Sequence, residues 1–160
     1  MFHRQKLVTV LWYDGRAEEA AQHYLSIFKN SKLLGSSRPN PAGPVLTVSF
    51  EPEGREFMAL NGGPMFKFTE AISIMVTCES QDEIDYYWSR LCEGGQESQC
   101  GWLKDRFGLS WQVYPSELAE LTGDPDPERA ARATAAMLQM RRIDIEAIRA
   151  AADGAGQPAS

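Results

Sequence analysis

Two side chains in this sequence carry acid, base or nucleophile chemistry that needs no histidine: Glu70 and Cys100. Glu70 lies between an aromatic segment, Phe66-Lys67-Phe68-Thr69, and an apolar run over residues 71–78. Partly desolvated there, a carboxyl gains a raised pKa and works as an acid or base; paired with Lys67 on the surface, it does neither. Cys100 sits in Gln99-Cys100-Gly101-Trp102. If Lys104 or Arg106 points inwards its thiol pKa falls and it becomes a nucleophile; otherwise it is a small hydrophobe, the reading given to Cys78 and Cys92.

The remaining site chemistries are thin. His3 and His23 are the two histidines, and no His-x-x-x-His or His-Glu-x-x-His spacing exists, so a histidine-rich metal centre and a histidine-dependent triad lack their parts. Three cysteines without a Cys-x-x-Cys pair argue against a zinc site or a disulfide framework. Asn61-Gly62-Gly63-Pro64 is too short for a phosphate-binding loop. Its glycines make a turn where a side chain would clash, or let the backbone approach a ligand. Trp12, Phe66, Phe68, Trp102 and Trp111 lie on or beside expected strands and would line an apolar pocket if they converge.

The elements that hold these residues follow from periodicity. Residues 6–13 (KLVTVLWY) form an expected strand buried on both faces, and Asp14-Gly15 leads into a helix with Ala17, Ala20, Ala21, Tyr24 and Phe28 on one side. Strands follow at about 32–38, 45–51 and 55–61. The order then repeats: a buried strand at 71–78 and a helix capped by Ser80 and Glu83 with the stripe Ile84, Tyr87, Trp88 and Leu91. Short strands within 98–103 and 109–114 flank a turn at 105–108. This gives β-α-β-β-β twice, a duplication in element order. Asp126-Pro127-Glu128 opens a helical tail, with a last helix at about 145–151 and a frayed end over 154–160. The tail is too slight to fold alone, and its Met137, Leu138, Met140, Ile143, Ile145 and Ile148 would be buried between subunits if it makes a dimer.

The chain has 160 residues, 43% hydrophobic and 24% charged, a composition of globular proteins rather than disordered or fibrous ones. A net charge of -6 argues against a nucleic-acid partner. The absence of any apolar run of about 20 residues argues against a membrane. Met1 to Lys6 shows no signal-peptide pattern, so the expectation is a cytoplasmic protein.

Leu11-Trp12-Tyr13-Asp14-Gly15-Arg16-Ala17-Glu18-Glu19-Ala20, Leu60-Asn61-Gly62-Gly63-Pro64-Met65-Phe66 with Glu70-Ala71, and Cys100-Gly101-Trp102-Leu103-Lys104-Asp105 with Gly108-Leu109-Ser110-Trp111-Gln112 carry a family resemblance. Through them the chain resembles the PhnB-like branch of the vicinal oxygen chelate (glyoxalase/bleomycin resistance) superfamily, often labelled 3-demethylubiquinone-9 3-methyltransferase. The resemblance implies an α+β fold in which paired βαβββ modules form a cupped mixed sheet, usually in a homodimer. It places the superfamily's metal-ligand positions near Thr9, Ala59 or Asn61, Ala71 or Ser73, and Gln112. Only Gln112 is a usual ligand type, so no metal is expected. The methyltransferase label implies S-adenosylmethionine, whose Gly-rich loop in a doubly wound sheet has no counterpart here, so no cofactor is expected.

The expected organisation is a glyoxalase-like domain over 1–123, with modules at about 7–61 and 71–114, then the helical extension over 124–153. The expected function is binding of a small apolar or aromatic organic molecule in the cup. Trp12, Asn61, Phe66, Phe68, Ser73, Trp102 and Gln112, together with Cys100, would line it, and Asn61 and Gln112 would orient the ligand. The alternative is an enzyme of the same superfamily (a lyase, a dioxygenase or the methyltransferase) using Glu70 or Cys100.

Overall fold

A computed structural model describes residues 5–154; His3 and the tail beyond Gly154 fall outside the described residues. The chain divides into two units, Met1–Phe68 and Thr69–Ser160.

The first unit runs β1 (Thr9–Tyr13), α1 (Ala17–Ile27), β2 (Ser31–Ser37), β3 (Thr47–Pro52) and β4 (Phe57–Asn61). Its sheet has the order β1-β4-β3-β2, with β1 parallel to β4 and the other pairs antiparallel. Ala17, Ala20 and Ala21 are fully buried, and their small side chains bring α1 close to the sheet, where Tyr24 stacks on Phe50 with ring centroids 6.0 Å apart. Strand β1 corrects an expectation. Leu11 and Tyr13 are buried, but Val10 between them is 53% exposed. The helix covers one face of the sheet, and the period of two puts alternate residues on the uncovered one.

The second unit repeats the order as β5 (Ser73–Cys78), α2 (Gln81–Cys92), β6 (Gln96–Glu97), β7 (Trp102–Lys104) and β8 (Ser110–Pro115). The sheet order β5-β8-β7-β6, again with one parallel pair between first and last strands, matches the first unit position for position. Ser80 caps α2 by accepting from the Glu83 amide at 3.2 Å. The Glu83 carboxylate reaches the Glu79 amide, one residue before the position a capping box would give it. Ile84, Tyr87, Trp88 and Leu91 are buried as their spacing requires. Strand β5, like β1, is half-open rather than buried on both faces: Met75 is 54% exposed.

Three helices complete this unit: α3 (Leu118–Thr122), which periodicity does not reveal because it is little more than one turn, α4 (Pro127–Leu138) and α5 (Ile145–Ala152). Asp126 caps α4 through the Glu128 amide, with Pro127 at the first position. The tail buries Ile143, Ile145 and Ile148 within its own chain and leaves Leu138 55% exposed. Leu118, Ala133, Ile143, Ile148 and Ala152 form a buried cluster, with Tyr114, Leu121, Met137 and Met140 packed against it. Gln81 fastens the tail from both ends of its amide, donating to the Ile143 carbonyl at 2.9 Å and accepting from the Ile145 amide at 2.9 Å. Among the described residues no helix is long and apolar enough to cross a membrane.

Candidate functional site

The β5-β8-β7 face turned away from α2 gathers the chemically distinctive residues. Alternation along β8 sends Trp111 and Val113 into the core and leaves Ser110, Gln112 and Tyr114 on the other side. Register then builds rows across the three strands. Ser110 lies opposite Lys104 and Ser73, Gln112 opposite Trp102 and Met75, and Tyr114 opposite Thr77. Gln112 Nε2 donates to Ser73 Oγ at 2.8 Å. This leaves Gln112 Oε1 an acceptor without a partner among the described residues.

A cleft of about 600 Å³ opens at one end of this face, lined by Glu70, Gln96, Gln99, Cys100, Trp102, Lys104 and Ser110 among others. A second, of about 370 Å³, lies at the other end, where Met75, Thr77 and Tyr114 meet α3 and Met137 of α4. Burial keeps the Tyr114 phenol raised from its ordinary pKa, so it is neutral at pH 7.

Of the two environments weighed for Glu70, the structure shows surface pairing with a lysine. Glu70 is exposed and paired with Lys104 rather than Lys67. The Lys104 ammonium, hydrogen-bonded to its carboxylate, holds it below the usual carboxylate range, the opposite of the raised pKa expected from desolvation. Cys100 is half-buried on the β6–β7 turn, with φ +56° followed by Gly101 at +81°. The Trp102 amide closes that turn on the Gln99 carbonyl at 3.1 Å, and the Cys100 and Gly101 amides donate to the Met140 and Arg141 carbonyls of the tail. Cys100 thus occupies a position the backbone needs, at the lip of the cleft. Burial pushes the Cys78 and Cys92 thiols up to about 12, so both remain protonated at neutral pH.

Four of the expected ligand-binding residues belong to the first unit. Trp12 donates to the Gly63 carbonyl at 2.8 Å and packs edge-on against Phe66, 4.9 Å between centroids. A Cβ on Gly62 would stand 2.4 Å from the Trp12 ring, so that glycine is where a side chain would clash. Phe68 packs edge-on against Tyr13. Asn61 is a clamp: its Oδ1 accepts from the Ala17 amide at 2.8 Å, capping α1, and its Nδ2 donates to the Val45 carbonyl at 3.1 Å. An amide committed at both ends is poorly placed to orient a ligand.

Lys104, Ser110 and Tyr114 were not among the expected binding residues. The alternation of Ser110-Trp111-Gln112-Val113-Tyr114 is the signal that marks Ser110 and Tyr114.

The positions that the resemblance assigns to metal ligands offer few donors. Ala59 is fully buried and has no donor, Asn61 is committed, and the Gln112 amide is bonded to Ser73. Among the described residues no three His, Cys, Asp or Glu side chains come together. The turn after β1 does not fit S-adenosylmethionine: both sheets are mixed, and the first amide of α1 is already capped by Asn61.

The model of the 3-demethylubiquinone-9 3-methyltransferase family matches residues 5–114. A PhnB protein from Bacillus cereus is 35% identical, covering 70% of this chain and 100% of its own, with a TM-score of 0.65. Protein PA1353 from Pseudomonas aeruginosa is 21% identical over 69% of this chain and 97% of its own, with a TM-score of 0.58. The fosfomycin resistance protein FosX from Listeria monocytogenes, in complex with Mn(II) and sulfate, shares the fold at 16% identity, covering 74% of this chain and 94% of its own, with a TM-score of 0.51. No curated protein matches the chain.

Proposed function

We propose that this chain, which belongs to the PhnB-like 3-demethylubiquinone-9 3-methyltransferase family and has the vicinal oxygen chelate fold, binds a small aromatic organic molecule on the open face of β5, β8 and β7 without a metal. The observation that carries this reading is the row Trp102–Gln112–Met75. It sets an indole and a thioether on either side of a polar amide whose Oε1 is unpartnered among the described residues. Trp102 and Met75 offer stacking and dispersion area, and Gln112, fixed by Ser73, accepts one hydrogen bond from the ligand.

A flat neutral amide is a suitable probe. Calorimetry with 2-naphthamide should show one molecule bound per chain. Trp102→Ala should weaken binding by roughly tenfold, the loss of one stacking partner at about 1.4 kcal/mol. Gln112→Leu, which removes the acceptor and keeps the volume, should weaken it by a similar factor. Absence of binding at millimolar probe, or affinity indifferent to both substitutions, would overturn the reading.

A further inference from the structure

The row next to Gln112 holds an unmet demand. Ser110 is 1% exposed, and its Oγ has no hydrogen-bond partner among the described residues. A hydroxyl taken from water and left unpaired is costly, and such groups in native chains have a reason to persist. Ser110 lines the cleft of about 600 Å³ together with Lys104 and Glu70. Lys104 faces it directly across the β7–β8 pair. At that spacing an ammonium and a hydroxyl both reach one small group between them. The Lys104 charge is already answered by a carboxylate, that of Glu70, but both side chains of this ion pair are substantially exposed, 38% and 61%. An exposed pair of this kind holds weakly and opens readily.

We propose that Lys104 and Ser110 form a carboxylate subsite, that the natural ligand is an aromatic carboxylic acid, and that Glu70 occupies the subsite until the ligand displaces it. This rests on the aromatic-binding reading above and adds the ligand's charge to it. The ligand ring lies on the Trp102–Gln112–Met75 row, and its carboxylate takes one charged hydrogen bond from Lys104 and one from the Ser110 hydroxyl. A carboxylate suits the subsite better than a phosphate. One ammonium and one hydroxyl match two oxygens and one negative charge, and a chain of net charge -6 offers a dianion no long-range attraction.

The test compares 6-hydroxy-2-naphthoate with 6-hydroxy-2-naphthamide, the same ring and the same hydroxyl donor for Gln112 with and without the charge, by calorimetry on the full chain at pH 7. Wild type should bind the carboxylate about tenfold more tightly than the amide, the worth of one charge-assisted bond. Lys104→Met should erase that ratio and leave the amide's affinity unchanged. Ser110→Ala should cut it roughly threefold to fivefold. Glu70→Gln, which removes the resident charge and keeps the shape, should tighten the carboxylate several-fold and leave the amide where it was. Equal binding of both probes to wild type overturns the subsite while leaving the aromatic site standing. Binding of neither overturns both. A Glu70→Gln variant with unchanged hydroxynaphthoate affinity overturns the role of Glu70 as the resident occupant. Superposable circular dichroism melts of the variants and wild type show that any change arises at the site.

Discussion

Asp105→Ala should lower stability by about 4 kcal/mol, read as a urea midpoint about 2 M below wild type. Asp105 is 3% exposed, and its carboxylate is the hub of the β7–β8 turn. Oδ1 accepts from the Phe107 and Leu109 amides at 2.9 and 3.0 Å, and Oδ2 accepts from the Trp111 indole at 2.9 Å. Alanine would leave three donors short of an acceptor, two of them in buried surroundings, at about 1–3 kcal/mol for each buried one. Asp105→Asn keeps the shape and one acceptor oxygen, and should cost about half as much. The turn also joins Lys104 to Ser110, so loss of Asp105 should loosen the proposed subsite before the chain unfolds. A midpoint within about 0.5 M of wild type would show that Asp105 is not that hub.

The second large effect is expected at Gly101. Its φ of +81° is one that an L side chain adopts only at a cost of about 1–2 kcal/mol. Alanine there would also put a Cβ 2.5 Å from the Tyr114 ring and 3.0 Å from the Val113 carbonyl. Tyr114 packs against the tail's buried cluster, so it cannot move aside freely. Gly101→Ala should therefore cost about 3 kcal/mol in all. Gly15 supplies the control: its φ is +74°, but nothing lies within 4 Å of its would-be Cβ. Gly15→Ala should lose only the backbone part, about 1 kcal/mol, and the difference between the two variants measures the clash with Tyr114. Equal losses would mean that Tyr114 yields without resistance.

The fold was largely legible in the sequence because its signals are local. Apolar spacing marks α1 and α2, Asp126-Pro127 marks α4, and element order alone reveals the duplicated βαβββ arrangement that the two sheets show. The openness of β1 and β5 was not legible. Runs such as LVTVLWY and SIMVTC are apolar at nearly every position and do not say that one face lacks a covering helix. The site was legible in part. Trp102, Gln112 and Ser73 fall on one face as the strand period dictates. The pairing of Glu70 with Lys104 joins residues far apart in the chain, and no local pattern distinguishes Lys104 from Lys67 as its partner. Asn61 is a related case: an amide after a strand has the same appearance whether it faces a ligand or caps a helix 44 residues away.

The central claim is that a ligand settles on the open face of the second unit's sheet, and the indole protons test it most directly. The indoles sit in different surroundings: Trp12 bonds the Gly63 carbonyl, Trp88 bonds Glu97, Trp111 bonds Asp105, and Trp102 lines the cleft. In a nitrogen–proton correlation spectrum titrated with 2-naphthamide, the Trp102 indole and the Gln112 side-chain amide should shift together along one binding curve, with Trp88 and Trp111 left in place. Shifts confined to the other indoles, or none at millimolar probe, would contradict the account.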